Sequence, residues 1–235
     1  MNINIVIPMA GEGSRFAKEG FHLPKPLIPV DGRTMIECAV ETLGINGSYH
    51  FMVREEHKDQ YDLDGLLQSV CSNCNIIEVE SLTNGPAETA LLAKPYINNN
   101  SPLIIANCDQ VLNWSWPEFI MMMGQADGGI LTYEDDDPKS SYIEVEDGLV
   151  IRTEEKEVIS NDATVGIYYF ARGSDYVKYA ERMIEKNIRA KNEFYVSLVY
   201  NEMIEDGLKI LPYDVTDNVW LIGTPRDLQL YQERK

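Results

Sequence analysis

The first thirty residues constrain this chain most. Ile3, Ile5, Val6 and Ile7 form a β-branched apolar run that reads as a buried strand. Its carboxyl end delivers the loop Pro8-Met9-Ala10-Gly11-Glu12-Gly13-Ser14-Arg15-Phe16 to the edge of a sheet. Gly11 and Gly13 lack Cβ, so the backbone can bend sharply and bring its N–H groups against phosphate oxygens. Gly20, Pro24, Pro26 and Pro29 follow, and they predict that no regular helix forms before residue 30. The stretch also carries Arg15 and, between two prolines, Lys25. Together these describe a site for an anionic phosphate chain.

Two other glycine-loop readings fail on residue type. A dinucleotide-binding turn wants a third small residue where Phe16 stands, and a helix opening at once. A P-loop wants a lysine directly after its glycines, and none is there.

The pair of motifs Ala10-Gly11-Glu12-Gly13-Ser14-Arg15-Phe16 and Pro24-Lys25-Pro26-Leu27 resembles the N-terminal signature of the nucleotidyltransferases that make nucleotide sugars and related activated head groups. Weaker echoes run to the C-terminus. The resemblance implies a doubly wound, mostly parallel α/β sheet, Rossmann-like and of GT-A type, with an inserted antiparallel region. It also implies Mg²⁺ as cofactor, and a nucleoside triphosphate and a phosphorylated small molecule as partners.

Length and charge agree. The 235 residues suit one domain, a nucleotide-binding half over roughly 1–127 and an acceptor-binding half over 128–235. A net charge of −18 argues against nucleic acid or an anionic membrane as the main partner. The cations Arg15, Lys18, Lys25 and Arg33 nevertheless gather where a phosphate would bind. No run approaches the ~18 apolar residues of a membrane helix and no signal core opens the chain, which leads us to expect a cytoplasmic protein. Four cysteines do not make a disulfide framework, and Cys71-x-x-Cys74 has no second pair to complete a zinc site.

Strands and helices alternate through the first half. Thr34 reads as the N-cap of a helix with Met35, Ile36, Ala39, Val40 and Leu43 on one face. A strand over 49–53, a helix near 55–70, a strand over 76–80, a helix from Pro86 and a strand over 103–107 follow. From 128 to 171 consecutive strands replace the alternation.

The strand Leu103 to Asn107 runs into Cys108-Asp109, a carboxylate placed at the same rim as the glycine loop. Mg²⁺ takes one or two protein carboxylates, so Asp109 is a candidate metal ligand; alone, it could equally cap a following helix. The family resemblance implies a second carboxylate in a W-x-D-x-G-T segment, but aligned on Gly223-Thr224 that position is Leu221, with Asp217 the nearest replacement. On the same basis Gly85 lies against the base, with Pro86 opening a helix either way. Similar family members carry a glutamine five residues before that glycine; here the position is Glu80, which accepts hydrogen bonds only and would favour the cytosine amino group, hence CTP over UTP or dTTP, or else simply ends its strand in solvent while the backbone reads the base. The acceptor side draws Tyr142, Glu155, Lys156, Gly166 and Glu193; Glu154 to Glu157 could instead be a solvated charge run, and Glu193 a helix cap. Ala10, Gly11, Gly13, Ser14 and Arg15 are assigned to the nucleotide, and Arg15, Lys25 and Asp109 to catalysis.

The chemistry so implied is attack of a phosphate monoester on the α-phosphorus of a nucleoside triphosphate, with pyrophosphate leaving. A sugar 1-phosphate is the leading acceptor, and phosphocholine or a phospho-amino acid the alternative. A glycosyltransferase of similar fold would show D-x-D where this chain has Asn107-Cys108-Asp109. A non-catalytic sensing subunit would have lost Arg15 or Lys25, and both are present.

Overall fold

A computed structural model describes residues 3–234. In chain order its elements are β1 (Asn4–Pro8), α1 (Ser14–Lys18), a 3₁₀ turn (Lys25–Leu27), β2 (Pro29–Val30), β3 (Arg33–Thr34), α2 (Met35–Leu43), β4 (Ser48–Arg54), α3 (Glu55–Tyr61), α4 (Leu63–Val70), β5 (Cys74–Val79), α5 (Pro86–Leu91), α6 (Lys94–Ile97) and β6 (Leu103–Ala106). Then come β7 (Gln110–Leu112), α7 (Trp116–Met123), β8 (Gly128–Glu134), β9 (Ser141–Glu146), β10 (Leu149–Glu155), β11 (Asp162–Phe170), α8 (Gly173–Glu185), α9 (Val196–Glu205), β12 (Ile210–Asp214), a second 3₁₀ turn (Thr216–Asn218), β13 (Val219–Leu221) and α10 (Pro225–Glu233).

One sheet carries both halves. Strands β6-β1-β4-β5 are parallel, with Ile5 opposite Tyr49 on one side and Ile104 on the other. The chain steps outward from β1 to β4 to β5, then returns through α5 on the opposite face to set β6 on the free edge of β1. That reversal opens a crevice at the carboxyl ends of β1 and β6, where open α/β sheets bind ligands. Beyond β6 the pairing turns antiparallel, β11 bonding β6, β8 and β9 and β9 bonding β10, while β12 adds to β8 in parallel. The expected mostly parallel sheet with an antiparallel region is what forms.

Alternation in β1 shows why both faces are covered. Ile5 and Ile7 pack toward α2 and α4, with Phe51 and Ile104; Val6 packs toward α5, α8 and α9, with Met52 and Ile105. A third apolar cluster joins Phe16, Ile28, Val30, Met35 and Cys38 to Ile222, Leu228 and Tyr231, so the N-terminal loop and the C-terminal helix share one core.

Helix α2 has the expected cap: Glu37 N–H donates to Thr34 Oγ1, and the Glu37 carboxylate accepts from Thr34 N–H, a reciprocal capping box. Three sequence expectations need correction. The helix over 55–70 is two helices, because Asp62 takes a left-handed conformation (φ 47°) between them. The loop before residue 30 contains one turn of helix, α1, which Gly20 (φ 85°) ends before the prolines begin. Finally, Asp109 leads not into a helix but into β7, so the capping role has no helix to cap.

Candidate active site

Loops at the crevice line a cleft of about 920 Å³. From the first motif come Gly11, Gly13, Ser14 and Arg15. A Cβ at Gly11 would meet no protein atom within 4 Å, so nothing in the packing demands glycine there and the space belongs to the cleft. At Gly13 (φ 60°) a Cβ would sit 3.1 Å from the Lys25 Cβ, and this close approach brings the two motifs together. Ala10 is buried behind the loop and does not face the cleft.

Lys25 and Asp109, 84 residues apart, form an ion pair within the cleft. Their side chains keep 23% and 16% of their exposure, enough to reach a ligand. Burial lowers the pKa of Lys25 and Arg15 repels it, but the charge and hydrogen bond of Asp109 together with Cys108 outweigh them and the net shift is upward. The ammonium therefore stays charged through the neutral range. Between these residues Cys108 is buried, and its thiol is pushed up to about 11 by that burial, so it is no nucleophile near neutral pH.

The C-terminal segment closes this side. Strand β13 pairs with β7, Leu221 opposite Gln110, and Ile222 N–H donates to the Asp109 carbonyl at 2.8 Å. A Cβ at Gly223 would lie 2.9 Å from Asp109 Oδ2 and 3.9 Å from an Arg15 guanidinium nitrogen. Glycine at 223 thus makes room for the Asp109 carboxylate. Thr224 caps α10 by accepting from Asp227 N–H. Asp217 is exposed on the 3₁₀ turn at the far end of the β7–β13 ribbon and does not line the cleft. The register of the ribbon keeps it from replacing the carboxylate missing at Leu221.

Of the residues expected to meet the acceptor, Lys156, Gly166 and Glu193 line the cleft, and Tyr133, Asp135, Asp137, Ser141, Tyr168 and Tyr195 join them. Lys156 (φ 62°) sits 3.5 Å from Glu155 Oε2, donates to the Lys139 carbonyl at 2.5 Å and lies over the Tyr195 ring. Glu155 is not on a solvated run: its side chain is 1% exposed, and Oε1 accepts from Ser141 and Ser197 hydroxyls at 2.5 Å. It underlies the cleft rather than lining it. Tyr142 is fully buried and donates to the Asp137 carbonyl at 2.8 Å, holding the 135–140 loop instead of facing a ligand. Glu193 does not cap α9, whose N-cap, Tyr195, makes no side-chain cap bond.

The base-side residues are placed differently from the sequence expectation. Glu80 is exposed just past β5 and does not line the cleft, so the argument for CTP loses its geometry. Gly85 (φ 127°) is required by packing: a Cβ would meet the Phe194 backbone N and O at 2.6 Å, where Phe194 N–H donates to the Asn84 carbonyl. Pro86 reaches the cleft in its place.

A family model described as nucleotidyl transferase matches residues 5–233. The chain belongs to the nucleotidyl transferase family. Among solved structures it is similar to the nucleoside-diphosphate-sugar pyrophosphorylase from Vibrio cholerae RC9, with 26% identity over 97% of this chain and 99% of that one and a TM-score of 0.87. The inositol-1-phosphate CTP transferase from T. maritima shares the fold at 16% identity, covering 97% and 93% with a TM-score of 0.78. A UDP-glucose pyrophosphorylase complexed with UDP-glucose does so at 17% identity, covering 100% and 98% with a TM-score of 0.78. No curated protein sequence matches. Among the described residues no helix is long and apolar enough to cross a membrane.

The cleft also holds residues that the sequence did not single out. Tyr133, Asp135 and Asp137 carried only the weak signal of an acidic loop after a strand, and Arg226 and Asp227 lay in an unremarked helix start.

Proposed function

We propose that this chain transfers a nucleoside monophosphate from a nucleoside triphosphate to a sugar 1-phosphate, releasing pyrophosphate. The observation that supports this best is the Lys25–Asp109 pair, drawn from two motifs and enclosed by Gly223 beside Arg15. Arg15 and the amides of the Gly11 to Ser14 loop bind the triphosphate, and Lys25 meets the reacting phosphates. One acceptor phosphate oxygen bonds to the α-phosphorus as the bond to the leaving pyrophosphate breaks. A monoester with a second pKa near ~6 is already largely dianionic at neutral pH, so no general base is needed. Catalysis rests on positioning and on stabilising added phosphoryl charge.

Among the described residues no three His, Cys, Asp or Glu side chains gather to cage a metal. Mg²⁺ does not require a cage: one carboxylate with substrate phosphates and water suffices, and Asp109 would be that carboxylate. When bound there, the ion would neutralise phosphate charge.

The test is a matrix of nucleoside triphosphates against glucose 1-phosphate, inositol 1-phosphate and phosphocholine, followed by pyrophosphate release with and without EDTA. Pyrophosphate release with a sugar phosphate, stopped by EDTA and restored by Mg²⁺, is the expected result. Turnover with phosphocholine alone would replace the acceptor class, and no turnover with any pair would remove the proposal.

A further inference from the structure

Asn107 stands at the junction of the two halves, two residues before Asp109 and beside the β11 bulge at Gly166. Its backbone is clamped on both sides: Asn107 N–H donates to the Gly166 carbonyl at 3.0 Å, and its own carbonyl accepts from the buried Gln110 amide at 2.5 Å. Its side chain is exposed and lines the cleft, yet among the described residues the side-chain amide has no hydrogen-bond partner. The register of β11 against β8 shifts between Thr164 and Tyr168, and within that bulge Gly166 takes φ 87°. A Cβ at Gly166 would run into the Asn107 amide, lying 2.9 Å from Cγ. The missing side chain is therefore the space in which the amide stands.

A polar side chain that rises from a clamped backbone into the cleft, has room beside a bulge and lacks an internal partner is available to bond a ligand. The geometry also selects which one. Asn107 lines the same cleft as Asp109 and Lys25 on one hand and Gly166, Tyr168 and Lys156 on the other, the groups that the functional reading gives to the nucleotide and to the acceptor. An amide donates hydrogen bonds where a carboxylate would only accept them, so asparagine suits a position next to an incoming phosphate dianion.

Resting on the functional reading above, we infer that Asn107 is an acceptor-binding residue that hydrogen-bonds a phosphate oxygen of the incoming monoester and orients it toward the α-phosphorus. Gly166 contributes by leaving the amide its place.

The test is steady-state kinetics of Asn107→Ala and Asn107→Asp, with each substrate varied in turn and the wild type's best acceptor among glucose 1-phosphate, inositol 1-phosphate and phosphocholine. Asn107 is exposed, so both variants should melt with the wild type. Loss of one hydrogen bond to a charged group should raise the acceptor KM about tenfold in Asn107→Ala, leaving the triphosphate KM within about twofold. Asn107→Asp should be worse, because it sets a carboxylate against the dianion. Gly166→Ala, whose Cβ would run into the Asn107 amide and whose backbone stands at φ 87°, should also raise the acceptor KM. An acceptor KM within twofold of wild type in Asn107→Ala, an equal rise in both KM values, or a fall confined to kcat overturns the inference while leaving the functional reading standing. A wild type without turnover on any pair overturns both.

Discussion

In the parallel half of the sheet, Gly11, Gly13, Ser14, Arg15 and Lys25 come from a single stretch of chain and reach the cleft by backbone turns. In the antiparallel half the wall is assembled from distant strands, and its charge is set from below: Glu155 is buried on the hydroxyls of Ser141 and Ser197, and Lys156 is held over Tyr195. On the proposed function a phosphate chain is common to every substrate pair, so one short local loop would suffice to bind it. The opposite wall, which the proposed function gives to the acceptor, is built by packing, where many residues each contribute a little.

The comparison can be broken most directly at the ion pair. Lys25→Ala and Asp109→Asn should each cost on the order of 10² or more in turnover, by analogy with removal of one transition-state donor. Pyrophosphate release within about threefold of wild type in either variant would show that the local motifs do not carry the chemistry. Gly223→Ala comes next. Its Cβ must push the Asp109 carboxylate aside, and we expect turnover to fall about tenfold with little change in melting temperature.

The acceptor half should respond differently. Ser197→Ala leaves Glu155 with one hydroxyl fewer, at a cost of about 1–3 kcal/mol in urea unfolding, and should raise the acceptor KM without altering that for the triphosphate. A rise in both KM values would mean that the two walls are not separable.

Two further variants mark the background against which these effects are read. His50 is buried between Asn4 and Asn75, and burial depresses its pKa from 6.5 to about 4. The unfolded chain thus binds the proton first, and stability falls as pH drops from 6.5 toward 4, by on the order of 1–2 kcal/mol between pH 7 and pH 5. Urea titrations of wild type and His50→Gln at both pH values should show that part of the slope lost in the variant. Smallest of all, Cys74→Ser should be nearly silent in turnover, since Cys71 and Cys74 are free thiols away from the cleft and burial pushes Cys71 up to about 12.

Much of the nucleotide side was legible because its signals are local. Thr34 and Glu37 cap α2 three residues apart, and β1 alternates Ile5, Val6 and Ile7 between two cores. Asp109 could be placed because strand ends define the rim of an α/β sheet. Tyr142 and Glu80 were misread for a common reason: residue type suggests a ligand, but whether a side chain faces the cleft, the core or solvent depends on pairing register and on what packs above it.

What the sequence by itself determined is the class of fold, the glycine- and cation-bearing loop that leaves the first strand at the cleft, and the strand end that carries Asp109, since each depends on neighbours a few positions away. Only the tertiary structure decided that Lys25 pairs with Asp109, that Gly223 rather than Asp217 completes that corner, that Gly85 serves Phe194, and that Asn107 stands free over Gly166. Those relations join residues tens to hundreds of positions apart. They come from the stacking of helices on both faces of one twisted sheet, and no periodicity along the chain records them.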